Sequence, residues 1–119
     1  MTQYSPRNIQ ERTFKFSVRI IKLVDRLPRR LAAIELGRQV LRSGTSIGAN
    51  VQEADAAESK KDFKHKMGIA RKEAQETRYW LGLIVAEIIP NDKETIAMRQ
   101  EADELARILR AIIDNTRDD

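Results

Sequence analysis

Apolar and small side chains recur at alternating spacings of three and four residues in four stretches of this chain. Phe16, Ile20, Leu23 and Leu27 form the first row, and Ala33, Gly37, Val40, Gly44, Ile47, Val51 and Ala54 the second. Phe63, Met67, Ala70, Ala74, Thr77, Leu81, Ile84 and Ile88 form the third, and Met98, Ala102, Leu105, Leu109 and Ile112 the fourth. That spacing puts each row on one side of an α-helix. Its average of about 3.5 residues favours left-handed, nearly antiparallel packing. Pro28 and Pro90 interrupt the rows, because proline lacks a backbone donor and disfavours helix at the residue before it. Ser59, with Asp62 three residues on, reads as a helix N-cap. The pattern predicts helices over about 8–27, 30–57, 60–89 and 92–116. Connections this short make sequential neighbours antiparallel. The predicted fold class is therefore all-α: one up-down-up-down antiparallel four-helix bundle over residues 1–119.

The stretch RSGTSIGANVQEADAAESKKDF, Arg42 to Phe63, tests this pattern. Its Gly, Ser, Thr and Asn content suggests a loop, and Gly44 with Gly48 suggests a phosphate cradle. A phosphate-binding glycine loop follows a strand and opens a helix, and no strand pattern precedes this one. Gly44 also continues the row from Ala33 to Ala54, so the second helix is predicted to run straight through. Its small residues then form a seam that another backbone can approach closely. Each glycine costs about 1 kcal/mol of helix propensity against alanine, which packing has to offset. Further apolar residues lie outside the rows: Phe14, Ile21 and Val24; Leu31, Leu36 and Leu41; Trp80, Leu83 and Val85; Ile96, Ile108 and Ile113. A monomeric bundle needs about three apolar positions per heptad. The excess predicts a homo-oligomer, with a wide core stripe in a monomer as the alternative.

Composition adds little. The chain is 41% hydrophobic and 34% charged, with 3 Pro, 5 Gly and no Cys. Disulfides and cysteine metal sites are excluded. No apolar run suits a secretory signal or a membrane span, so a cytoplasmic protein without membrane contact is expected. Charge distribution says more than the net +4. Residues 1–30 are net +6, residues 31–90 net +1 and residues 91–119 net −3. The positive end suits an anionic partner or an electrostatic contact between subunits.

Most of that charge falls in one row. Arg12, Lys15, Arg19, Lys22 and Arg26 recur at spacings of three and four on the first predicted helix, with no acidic residue among them. A phosphate backbone would relieve their repulsion, and several subunits would multiply the effect. The alternatives are pairing with acidic residues of a neighbour's fourth helix (Glu94, Glu101, Asp103, Glu104) or a solvated face. Arg38 and Arg42 can extend the positive surface, and Lys60, Lys61, Lys64 and Lys66 cluster where the third helix begins. No base-reading motif is present, so binding would be led by backbone charge and shape. A second constellation is polar. Ser43, Ser46, Asn50 and Glu53 share one side of the second helix, and Glu73 and Glu76 lie on the third. Di-iron bundles use Glu-x-x-His on two helices. The single histidine here, His65, has Asp62 three residues before it. A structural polar network of Ser46, Asn50, Glu53, Glu73 and Glu76 is the preferred interpretation over metal or acid–base chemistry. No catalytic residue, metal or cofactor is expected. Trp80, next to the core row, reads as a core or interface anchor rather than a stacking platform for a base.

SIGANVQEA (Ser46 to Ala54) and DFKHKMGIARKEAQETRYWLGLI (Asp62 to Ile84) resemble the bacterial four helix bundle family, the 23S rRNA intervening-sequence proteins. The matching residues are Ser46, Ile47, Asn50 and Glu53, then Asp62, Phe63, Ala70, Glu76, Trp80 and Leu81. Ala54 stands where the family usually has Gly, and Lys72-Glu73 where Gly-Ser is frequent. The resemblance implies a four-helix bundle assembled into a pentameric ring. It also implies a distant likeness to the accessory variability protein of diversity-generating retroelements, a basic pentamer that binds nucleic acid and a reverse transcriptase. The expected function is a non-enzymatic oligomeric bundle that binds structured RNA or another nucleic acid through the basic first-helix face, in an rRNA or retroelement setting. A protein-interaction scaffold whose charge asymmetry serves assembly is the alternative.

Overall fold

The computed structural model describes residues 6–117, with side chains from residue 8 onward. Four helices account for nearly all of it: α1 (Pro6–Arg26), α2 (Leu31–Asp55), α3 (Lys60–Leu83) and α4 (Lys93–Asn115). No strand occurs among the described residues. The helices lie side by side in a bundle measuring 50 × 23 × 18 Å. Each packs on its neighbour in sequence, and α4 returns beside α1, so the α1–α2 and α3–α4 faces lie on opposite sides.

Helix α2 runs unbroken through Gly44 and Gly48. The approaching backbone is α1. A Cβ on Gly44 would stand 2.7 Å from Ile20 Cγ1, and one on Gly48 3.4 Å from the Thr13 carbonyl carbon. Glycine is therefore required at Gly44 by close packing, since any larger residue collides with a buried isoleucine. The four rows meet in one core around Phe16, Ile20, Val40, Ile47, Met67, Leu81, Met98, Leu105 and Leu109. Across α2 and α3 the core holds a buried polar link, a hydrogen bond of 2.8 Å between the Thr77 and Ser43 hydroxyls.

The helix ends follow local chemistry. Ser59 caps α3 by accepting from the Asp62 amide at 3.0 Å. Asp92 caps α4, accepting from the Thr95 amide at 3.0 Å and its hydroxyl at 2.8 Å. Three predicted ends differ by two residues or more. Helix α1 begins at Pro6 rather than 8. Helix α2 stops at Asp55 rather than 57, because Ala56 turns out of the helical region. Helix α3 stops at Leu83, and Ile84–Ile88 form a π turn. There the Ile89 amide bonds the Ile84 carbonyl at 3.0 Å. Pro90 has no amide to offer the Ala86 carbonyl, which ends the regular ladder, and the Asn91 amide closes the turn on the Val85 carbonyl at 3.3 Å. Asn91 then reverses the chain at φ 61°, a left-handed conformation that asparagine tolerates.

Candidate nucleic-acid interface

The basic row on α1 divides in two. Arg12, Arg19 and Arg26 turn toward α4 and make a ladder of ion pairs within the chain. Arg12 donates from Nε to Glu101 Oε2 at 2.7 Å and from Nη2 to Glu101 Oε1 at 2.9 Å, a bidentate pair, and also reaches Glu104. Arg19 meets Glu94 at 2.9 Å, and Arg26 meets Asp92 at 2.9 Å. Successive rungs step by seven residues on α1 and run the opposite way along α4, as antiparallel helices demand. Of the four acids considered as partners from a neighbouring subunit, Glu94, Glu101 and Glu104 meet the chain's own α1, and Asp103 does not. Hydrogen bonds from Arg26, then from Thr95, hold the Asp92 carboxyl at about 2, well below the usual aspartate value. Lys15 and Lys22 are exposed and form no ion pair among the described residues.

Arg38 is exposed on α2, also without an ion pair among the described residues. Arg42 turns to α3 and pairs with Glu76 at 2.7 Å and Glu73 at 3.9 Å. The polar constellation is therefore dispersed. Ser46 donates to the Arg42 carbonyl at 2.6 Å, and Asn50 donates to the Ser46 carbonyl at 2.8 Å, both within α2. Glu53 takes Lys66 at 2.9 Å. Glu73 and Glu76 share Arg42, and no hydrogen bond joins all five residues. Burial pushes the Glu73 carboxyl above its ordinary value, the Glu76 charge adds to this, and Arg42 opposes it. Glu73 Oε1 and Trp80 Nε1 are buried without a hydrogen-bond partner among the described residues. Trp80 packs on the core, and its ring meets the exposed Tyr79 edge to face at 5.2 Å. Among the described residues no group of three or more acidic or histidine side chains is arranged to hold a metal. None of the described helices is long and apolar enough to cross a membrane.

A different cationic feature lies on the opposite edge of α4. Arg78 and Tyr79 of α3, and Arg99 and Arg107 of α4, line a groove of about 650 Å³. Arg71 and Arg110 extend it. Gly82 makes room for Arg99, since a Cβ there would stand 3.1 Å from the guanidinium carbon. Asp103 lies between two of these cations, bridging Arg78 and Arg107, the latter at 3.1 Å. Arg110 pairs with Asp114 at 3.2 Å. This groove is hard to see in the sequence because its arginines alternate with acids along the chain. A helical projection would have found it: Arg71 and Arg78 are seven apart, and Arg99, Arg107 and Arg110 fall on one side of α4.

The profile of the 23S rRNA-intervening sequence protein family matches residues 7–111. The chain belongs to that family. A crystal structure from Bacteroides thetaiotaomicron, described as a protein with unknown function from the S23 ribosomal protein family, superposes with a TM-score of 0.85. The two sequences are 35% identical, and the match covers 92% of this chain and 98% of the other. No curated protein matches. Within this 23S rRNA-intervening sequence family member, the residues carrying the resemblance do structural work. Ile47, Ala70 and Leu81 are buried in the core, Ser46 and Asn50 bond their own helix, and Glu53 and Glu76 join α2 to α3 through ion pairs.

Proposed function

We propose that this protein is a non-enzymatic, self-assembling helical bundle that serves as a scaffold for an anionic partner. The observation that carries the reading is an uncovered apolar face on α1 and α2. Phe14 is 70% exposed and Leu31 75% exposed, with Ile21, Ile34 and Leu41 also open to solvent. Val24, Leu27, Ile34 and Leu41 line a shallow groove between the two helices. Large apolar groups grouped on one face of a small bundle mark a contact with another protein. A second copy is the occupant proposed here. A five-membered ring is the assembly that the resemblance implies. Light scattering of the full chain tests this: a mass of several chains is expected, falling to one chain in Ile21→Asp/Leu41→Asp with its helical circular dichroism intact. A monomeric native protein would contradict it.

Nucleic acid is the partner class that the charge favours. Net charge is +4, and Lys15, Lys22 and Arg38 remain exposed after α4 has taken three arginines of α1. Arg12, Arg19 and Arg26 contribute less to an outside partner than a free row would, because each already faces a carboxylate. Contact through phosphates, without base-specific readout, fits these residues. Retention on a polyanion column should fall steeply with salt and weaken in Lys15→Glu/Lys22→Glu. An rRNA or retroelement setting, with a reverse transcriptase as a further partner, belongs to the same proposal.

A further inference from the structure

We propose that the α3–α4 groove is a binding site for a short single-stranded stretch of nucleic acid, held at its phosphates by arginines and at one base by Tyr79. This rests on nucleic acid being the partner class, but assigns the contact to a face other than α1.

Charge makes the first argument. Five arginines, Arg71, Arg78, Arg99, Arg107 and Arg110, converge from two helices on one seam. Even with Asp103, Glu104 and Asp114 counted against them, the seam stays positive. Glu104 is moreover drawn toward Arg12 on the other edge of α4. Arg71 and Arg99 form no ion pair among the described residues. Arg107 and Arg110 have highly exposed side chains, 79% and 60%, so their pairing with carboxylates is easily exchanged for phosphate. From Arg99 to Arg110 the helix rise gives a rail of roughly 16 Å, enough for a few nucleotides.

Chemistry makes the second. Every cation in the groove is arginine, whose planar fork matches phosphate oxygens in pairs and stacks on flat surfaces. Tyr79 is 60% exposed on the wall of the groove, and its ring is steadied by Trp80. Cations that follow a backbone, with an aromatic ring beside them, are the working parts of single-strand binders. A duplex would hide its base faces from Tyr79, and an acidic peptide would have no use for that ring.

The experiment is fluorescence anisotropy with labelled U20 and dT20 and the full chain in its native assembly, across a series of KCl concentrations. Binding of both oligonucleotides is expected, with U20 and dT20 separating RNA from DNA as the source. Arg78→Glu/Arg107→Glu should weaken it at least tenfold and lower the magnitude of the log–log salt slope by about 1.4, the value for two phosphate contacts on a single strand. Tyr79→Ala should weaken it roughly five- to a hundredfold, the range of one lost base stack. Photocrosslinking of a 4-thiouridine oligonucleotide to the unmodified protein should mark the peptide holding Tyr79, independently of how any variant folds. Unchanged affinity in both groove variants, with loss in Lys15→Glu/Lys22→Glu, would overturn the groove and leave the α1 reading standing. Failure of the native protein to bind either oligonucleotide would sink the nucleic-acid reading and the groove together. Loss with Arg78→Glu/Arg107→Glu but none with Tyr79→Ala, and equal competition by polyglutamate, would overturn base stacking and leave a site for polyanions at large.

Discussion

The two edges of α4 carry opposite charge and do different things with it. The edge facing α1 is acidic, and Glu94, Glu101 and Glu104, with Asp92 at the cap, receive Arg19, Arg12 and Arg26. The edge facing α3 is led by Arg99, Arg107 and Arg110, and meets more arginines from α3. Both seams, α1–α4 and α3–α4, contain a row of arginines, yet in one the cations close the bundle and in the other they stay largely open to solvent. A row of like charge on a helix is therefore a poor guide to a partner until the neighbouring helix is known. What decides is the sign of the side chains across the seam.

The arginines of α1 reach α4 only while α1 is held against α2, so the largest perturbation is one that lifts α1 away. Gly44→Val drives a branched side chain into Ile20, which already lies 2.7 Å from a bare Cβ position. A loss of about 3 kcal/mol is expected by urea denaturation, from overpacking a buried contact. Less severe is Thr77→Val, which strands the buried Ser43 hydroxyl at an uncharged point between α2 and α3. It should cost about 1 kcal/mol and show no dependence on salt, unlike changes on the charged seam.

Acid should weaken the charged seam specifically. The folded-state value of Asp92 lies at about 2, below its unfolded value, so its ionised form stabilises the native chain. That contribution is complete at neutral pH and drains away as pH falls from about 5 to about 2. Asp92→Asn should flatten this part of the stability profile, and Arg26→Gln should reduce its slope, both followed by denaturation at stepped pH. The smallest effect on stability belongs to the open edge. Asp103→Asn, which releases Arg78 and Arg107, should change stability by no more than about 0.5 kcal/mol, since exposed pairs contribute little. Oligonucleotide affinity should nevertheless rise severalfold in the same variant.

The bundle was legible because period, proline breaks and caps agree with one another. Ala33 to Ala54 keeps its spacing through Gly44, and spacing outweighed the loop-like composition. Ser59 announced its own cap. The end of α3 was less legible, since the residues of the π turn, Ile84–Ile88, continue the same apolar spacing as the α-helix before them. The candidate site was legible in part. Every arginine of the α1 row does lie on one side of the helix, but their partners sit 66 to 92 residues away in sequence. No local pattern shows which helix closes the bundle beside α1. The grouping of Ser46, Asn50, Glu53, Glu73 and Glu76 assumed that shared sides meet. In fact short polar side chains on α2 found their own carbonyls first.

Whether α4 takes up the arginines of α1 within the chain is decided by a double-mutant cycle on Arg12 and Glu101. Stabilities of the native protein, Arg12→Ala, Glu101→Ala and the double variant would be measured by urea denaturation at low and high salt. The bidentate, partly buried pair predicts a favourable coupling of about 1 to 2 kcal/mol that shrinks with salt. Additive effects, with no coupling at either salt concentration, would mean that Arg12 is not held by α4.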